Sequence, residues 1–464
     1  MKLKYNTLLF ILPLLLVMSC SQSVEYKSIY FAGQIVNPKE KSLEIFQNER
    51  SISTSKLNRN NNFEFKLDSL TEGLYTFKHG VEYQYLFLEP NDSVVMRLNT
   101  WDFDESLVFS GRGAAKNNFL IQLFLKNEKE KKLFHSYYKL EEVDFSRKID
   151  SLITIKLNHY KKFKENIVVS SKFESLVQTA IYYPIYSIKE KYAHNYKVYH
   201  RLEKSKKLSD YFYAYRQNTD INDIQFLNYY AFNRYVGDYL LNISDEIHEK
   251  DTSKQLSTII LKQINSKIKN EKLKNNMLHH AIINCLLDKK CCDKDKKEVK
   301  NIFYTNCTDK EKVADVNKIV KSLAQLKKYS RFPSLDAIDY QNKKIELDDL
   351  KSDKKMVLYF WPKEANRIQY LAKRVNYLAK EYPNFRFIGL DNQLKKYKWK
   401  KYIKKYNFNK KNQFQLVDTT KNKWFTNQFP RAIILNKKGI IQNDFSYLSH
   451  HNFEKILAKI EKYK

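Results

Sequence analysis

Sulfur is the first place to look for chemistry in this chain, and Cys285, Cys291, Cys292 and Cys307 cluster in its middle. A thiolate is both a nucleophile and a soft metal ligand. Four cysteines also permit three disulfide pairings, of which the one joining the neighbours Cys291 and Cys292 is strained. Their spacing fits no zinc pattern, so structural disulfides are expected ahead of free thiols or a redox role, with no bound metal and no cofactor. His279-His280 and His450-His451 lack a third ligand at recognisable spacing and read as solvated or capping histidines. A second kind of chemistry is electrostatic. Lys395, Lys396, Lys398, Lys400, Lys401, Lys404, Lys405, Lys410 and Lys411 lie between Asp391 and Asp418 with no acidic residue among them, interleaved with Tyr397, Trp399, Tyr402 and Tyr406. Such alternation suits phosphates, acidic glycans or nucleic acid. A solvated helix face is the simpler alternative. No carboxylate pair, Ser/His/Asp set or phosphate loop stands out.

The 464 residues carry a formal charge of +31, with 43% hydrophobic and 14% aromatic residues. That composition supports packed cores and excludes wholesale disorder; Gly 8 and Pro 8 exclude collagen-like or linker-rich designs. The charge is unevenly placed, at −3 over residues 20–112, +15 over 113–330 and +17 over 331–464. Lys2 and Lys4 precede an apolar run from Leu8 to Met18 that is too short to span a bilayer and has the layout of a secretory signal. Its end, Val17-Met18-Ser19-Cys20, resembles the signal of bacterial lipoproteins, which implies lipidation at Cys20 and a mature chain outside the cytoplasm. The expected address is the cell envelope, anchored by lipid and facing the periplasm. Nucleic acid is then not expected as a partner.

Four regions follow from the pattern: a signal at 1–19, a β-sandwich at 20–112, an α-helical region at 113–330 and an α/β region at 331–464. In the second, Ile29, Phe31, Phe63, Phe65 and Leu67 alternate with polar residues, and short runs at Leu74–Phe77, Tyr85–Leu88, Val94–Leu98 and Leu107–Phe109 are separated by turn residues. A small antiparallel sandwich is expected. The third shows apolar residues three and four apart, with helix breaks near Val143-Asp144, Pro184, Asn218 to Asn222, Ser244-Asp245 and Thr308-Asp309. Tyrosines such as Tyr182-Tyr183 and Tyr229-Tyr230 read as packing ahead of a carbohydrate surface. In the fourth, a polar hairpin at Asp339 to Leu350 precedes a buried strand at Met356 to Trp361 and a helix with Ile368, Leu371, Val375, Leu378 and Tyr382 on one face. Strands at Phe385 to Leu390, Ala432 to Asn436 and Gly439 to Asp444 and a closing helix follow.

This last region resembles the periplasmic thioredoxin-like proteins of the thiol-disulfide interchange and peroxiredoxin-like kind. Phe332-Pro333 through Leu350 is similar to their opening hairpin, Val357 to Trp361 to the strand leading to their active site, and Gln428 to Ile441 to the strand that carries their cis-proline, here Pro430. The opening Gly33-Gln34-Ile35, the stretch Tyr85 to Ser93, and Phe109-Ser110-Gly111 leading to Asn117-Asn118 resemble the β-rich N-terminal domain of thioredoxin-like lipoproteins of Bacteroidetes. The resemblance implies Cys-x-x-Cys four residues after Trp361, but those positions hold Ala365 and Ile368, and residues 308–464 contain no cysteine. Thiol exchange needs an attacking thiolate, so this region is expected to be redox-inactive. Trp361, Lys363, Glu364, Ala365, Asn366, Arg367, Ile368 and Pro430 would then line a groove for an extended peptide or an anionic partner. The leading expectation is a non-enzymatic binding or scaffold protein. The alternative is a thiol-disulfide oxidoreductase, or its accessory, that uses cysteines outside the usual motif.

Overall fold

The computed structural model describes residues 28–464 apart from 69, 289–290, 347–351, 363–364, 393, 419–430, 451 and 463–464. The chain divides into two compact units, Met1–Glu128 with His159–Val177 and Lys129–Asn158 with Gln178–Lys464.

The first unit holds two four-stranded sheets. One has the order β4 (Asn62–Leu67), β1 (Ile29–Val36), β7 (Ser93–Asn99), β8 (Val108–Arg112), and the other β3 (Arg50–Lys56), β2 (Ser42–Gln47), β5 (Gly73–His79), β6 (Glu82–Leu88). Alternate residues of both sheets, among them Phe31, Phe65, Phe77, Leu86 and Met96, fill one core, as period-two patterning requires. The expected antiparallel sandwich needs one correction: β1 runs parallel to β7, with Gly33 opposite Met96. A Cβ on Gly33 would sit 2.1 Å from the Met96 carbonyl oxygen, which accounts for the glycine in that opening segment. The Asn117-Asn118 pair also acquires a reason. Asn117 accepts from the backbone N–H of Phe87 (2.7 Å) and donates to its carbonyl (2.8 Å), and Asn118 does the same for Phe109 (2.9 and 2.8 Å). Each amide thus stands in for a strand that β6 or β8 lacks among the described residues.

His79 is buried in this unit, its Nε2 accepting from the N–H of Lys39 (3.0 Å) and of Glu40 (3.3 Å) while Nδ1 donates to the Ser42 carbonyl (3.0 Å). Burial lowers its pKa from 6.5, against the opposing Ser42 bond. The unfolded chain therefore binds the proton more readily, so stability falls as pH drops below about 6.5. Buried Asp92 and half-buried Asp104 have raised values, in both cases chiefly through desolvation, and act in the opposite sense further into the acid range. The expected result is a lower urea midpoint for this unit at about pH 5.5 than at about 7.5, and no such drop in His79→Gln.

Helices dominate the next stretch: α1 (Ala114–Tyr137), α2 (Glu142–Lys164), α3 (Ser171–Glu190), α4 (Tyr192–His200), α5 (Tyr230–Lys250), α6 (Leu256–Lys267), α7 (Glu271–Leu287), α8 (Asp293–Asn306) and α9 (Lys310–Gln325). Two expected breaks are absent. α3 continues through Pro184, because the lost N–H costs less than unpacking Ile181, Ile185 and Ile188, all buried. α5 continues through Ser244, whose hydroxyl donates back to the Leu240 carbonyl at 2.6 Å. The tyrosines pack: Tyr186 stacks on Tyr215 with centroids 4.2 Å apart, and Tyr183 meets Tyr235 edge-on at 4.9 Å.

The C-terminal part is a seven-stranded mixed sheet, in the order β10 (Lys344–Glu346), β9 (Asp336–Ile338), β13 (Gln413–Leu416), β12 (Phe385–Asp391), β11 (Lys355–Phe360), β14 (Ala432–Leu435), β15 (Ile441–Ser446). β11, β12 and β13 are parallel, joined through α10 (Ala365–Glu381) and α11 (Lys396–Lys405). Two successive crossovers in the same direction and of the same hand must lie on one face. Accordingly Ile368, Val375 and Leu378 of α10, Trp399 and Ile403 of α11, and Phe453 and Leu457 of α12 (Phe453–Lys462) share one core cluster. The opposite face is covered by Leu326, Phe332 and Leu335.

Candidate functional site

The site expected from the sequence lies where β11 ends and α10 begins. Trp361 is 1% exposed and Ile368 0%. Both are core residues, so neither is available as a groove wall. The amphipathic register of α10 explains Ile368, which falls on the same stripe as Val375 and Leu378. Arg367 is exposed, and the backbones of Ala365 and Asn366 open the helix. Lys363, Glu364 and Pro430 lie outside the described residues, as do Cys20 and the signal at 1–19.

Beneath this junction is a polar knot that sequence reading missed. Gln413 Oε1 accepts from the Tyr359 hydroxyl (3.0 Å) and from Trp361 Nε1 (3.1 Å), and its Nε2 donates to the Asn409 carbonyl (3.2 Å). Burial pushes the Tyr359 hydroxyl well above its usual pKa, with the Gln413 bond opposing, so it stays protonated and donates. Phe408 packs on the Trp361 ring at 4.5 Å. One strand register further, Gln415 Nε2 donates to buried Asp391 (2.7 Å) and to the Leu394 carbonyl (2.8 Å). Gly389 leaves the room: a Cβ there would lie 2.1 Å from Gln413 Oε1. Two glutamines in the run Gln413-Phe414-Gln415-Leu416 hide a fully buried strand from hydropathy, although Gln-x-Gln alternation is itself a strand period.

On the other face Arg431, the residue after Pro430, is 2% exposed and donates to Ser322 Oγ of α9 at 2.6 Å, with its guanidinium 5.7 Å from the Phe360 ring. Burial lowers its pKa to about 10, against the attraction of Asp444. It stays cationic at neutral pH.

The cysteines resolve differently from the two-bridge expectation. Cys285 and Cys291 are bonded, whereas Cys292 is free and exposed and Cys307 free and buried. The helix between the last two explains it: α8 has 14 residues, so at about 1.5 Å per residue it holds its ends roughly 20 Å apart, far beyond disulfide reach. Cys292 occupies the position just before α8 without a side-chain capping bond, and its Sγ donates to Asp295 Oδ2 at 2.9 Å. The Cys307 thiol is raised by burial, with the Asp309 backbone bond opposing. His279 pairs with Asp315 at 2.8 Å, His280 is exposed, and His450 Nδ1 accepts from the Asn452 N–H at 3.2 Å; His451 is not described. No group of three or more His, Cys, Asp or Glu among the described residues is placed to hold a metal ion.

The basic stretch becomes α11 and a 3₁₀ turn at Lys410–Asn412. Trp399 and Ile403 point inward, and Tyr397 is 64% exposed. Lys400 and Lys410 flank the Tyr340 ring at 5.4 and 5.5 Å.

No family model matches the chain, and no curated protein matches it. Solved structures similar to part of it include a thiol:disulfide interchange protein from Bacteroides sp., at 18% identity and a TM-score of 0.24 over 30% of this chain and 91% of that one. A putative thiol-disulfide oxidoreductase from Bacteroides vulgatus is similar at 18% and 0.26, over 30% of this chain and 99% of that one. A thioredoxin-like protein from Bacteroides caccae is similar at 12% and 0.31, over 53% and 90%.

Proposed function

We propose that the chain is a lipid-anchored binding or scaffold protein of the cell envelope, facing the periplasm, whose thioredoxin-like region does no redox chemistry. The observation that carries this reading is the junction of β11 and α10. Its two sulfur positions hold Ala365 and Ile368, and the second is locked into the core. What such a scaffold retains is surface: the end of the sheet near Arg367 for an extended peptide, and the lysines of α11 for an anionic partner. The run from Leu8 to Cys20 supports export and lipidation.

A second reading, a thiol oxidoreductase or its accessory, is favoured by one specific observation. The Cys285–Cys291 bridge is followed directly by an exposed free thiol, Cys292, at the start of α8. Insulin reduction separates the two. The expected result is turnover no faster than dithiothreitol alone; robust turnover abolished by Cys291→Ser or Cys292→Ser would establish the second reading instead.

A further inference from the structure

We infer that the outward arc of α11, with the turn after it, docks on an anionic phospholipid membrane. The inference rests on the preceding reading only for the presence of a membrane. With Trp399 and Ile403 inward and about 100° between successive residues, Lys396, Lys400, Lys404, Tyr397, Lys401, Lys405 and Lys398 follow one another around the opposite arc. Lys410 and Lys411 extend it. All are exposed except Lys400, which is half-buried against Tyr340. Among the described residues none of the nine lysines of this stretch makes an ion pair. The acidic groups at its two ends do not compensate it: Asp391 is buried and engaged by the Leu394 N–H and Gln415, and Asp418 lies beyond the turn. Elsewhere some lysines are paired, as in Lys156–Glu130, Lys191–Asp238 and Lys262–Glu298.

Shape and residue type select the partner. A helix surface is convex, so it cannot enclose a small anion but can lie against an extended anionic plane. The cations are all lysines, flexible point charges suited to a fluid array of phosphates, whereas bidentate recognition of a fixed carboxylate or phosphate favours arginine. Tyr397, in the middle of the arc, has the amphipathic ring that settles at headgroup level. Single-stranded nucleic acid would call for several open stacking platforms along a groove. Here Tyr402 and Tyr406 are half-buried and stacked on each other at 5.9 Å, leaving Tyr397 as the one open ring of the helix.

The test uses the mature chain without its lipid, carrying Cys20→Ser, in sedimentation with vesicles of phosphatidylcholine alone or mixed with phosphatidylglycerol. Binding is expected only to the mixed vesicles and is expected to disappear in about 1 M salt, where the screening length is near 3 Å. Changing Lys398, Lys401, Lys404 and Lys405 to Ser should lower the partition coefficient by roughly fivefold per lysine, several hundredfold in all. Making the same change at the exposed lysines 294, 297, 318 and 321 on α8 and α9 should alter it only a fewfold. Tyr397→Ala, which keeps every charge, should also weaken binding. Equal loss from both lysine sets would overturn the inference, because net charge alone would then be responsible. So would equal binding to phosphatidylcholine alone, or capture of a sulfated polysaccharide or oligonucleotide with no binding to the mixed vesicles. Failure here with insulin still unreduced leaves the binding or scaffold reading intact; insulin turnover that depends on Cys291 or Cys292 removes that reading whatever the vesicles do.

Discussion

Replacing Arg216 with Met is expected to destabilise the helical part of the molecule by about 3–5 kcal/mol. Glu190, at the end of α3, has a side chain with 0% exposure. Its carboxylate accepts from the Tyr215 hydroxyl at 2.8 Å, from Arg216 Nε at 3.0 Å and Nη2 at 2.5 Å, and from Asn242 Nδ2 at 2.7 Å. The Arg216 guanidinium also lies 3.8 Å from the Tyr213 ring centroid. A buried pair of this kind adds little over a hydrophobic replacement of both partners, but removing one partner strands the other charge out of water. Tyr215→Phe provides the comparison, since it deletes one hydrogen bond and no charge and should cost about 1–2 kcal/mol. Urea denaturation followed by far-ultraviolet circular dichroism measures both. An Arg216→Met loss no larger than that of Tyr215→Phe would mean that the ion pair does not hold α3 to the turn at Ala214–Asn218.

Gly389→Ala should cost about 3–5 kcal/mol, with two contributions. The new methyl would lie 2.1 Å from Gln413 Oε1, 2.7 Å from Trp361 Nε1 and 2.8 Å from Tyr359 Cζ. Overpacking of that kind costs about 1–3 kcal/mol, and the displaced Gln413 would leave the hydroxyl of Tyr359 and the indole of Trp361 without their acceptor, at roughly 1–3 kcal/mol more. A double-mutant cycle isolates the mechanism. Because Gln413→Ala removes the tightest of the three clashes together with the acceptor, Gly389→Ala combined with it should fall short of the sum of the single losses by at least about 0.5 kcal/mol. Strict additivity would place the damage somewhere other than this knot.

Much of the architecture was legible because the relevant signals are local. The alternation at Phe63, Phe65 and Leu67 and the stripe of α10 each follow one period, and both elements form as expected. Pairing partners are not a local property. That β1 lies against β7 in parallel depends on a close approach at Gly33, and that Cys292 and Cys307 stay unbonded to each other depends on the length of α8. Ile368 was read in two ways, as a member of the helix stripe and as part of a groove, and burial settles it in favour of the stripe. The missed residues, Gln413, Gln415 and Arg431, are polar side chains whose burial is offset by partners from other elements. No single-sequence pattern announces such partners. The expected breaks at Pro184 and Ser244 failed for a related reason: tertiary packing outweighed local propensity.

The contact from Arg431 to Ser322 bears on modularity. Because both crossover helices lie on one face of the seven-stranded sheet, the other face relies for cover on Leu326, Phe332 and Leu335, and Arg431 on a serine of α9. A boundary drawn at residue 331 therefore cuts through a core. Grafting the sheet onto another protein, or exchanging it among relatives by recombination, requires the chain from α9 onward to travel with it, and the heritable unit of this fold begins before its first strand.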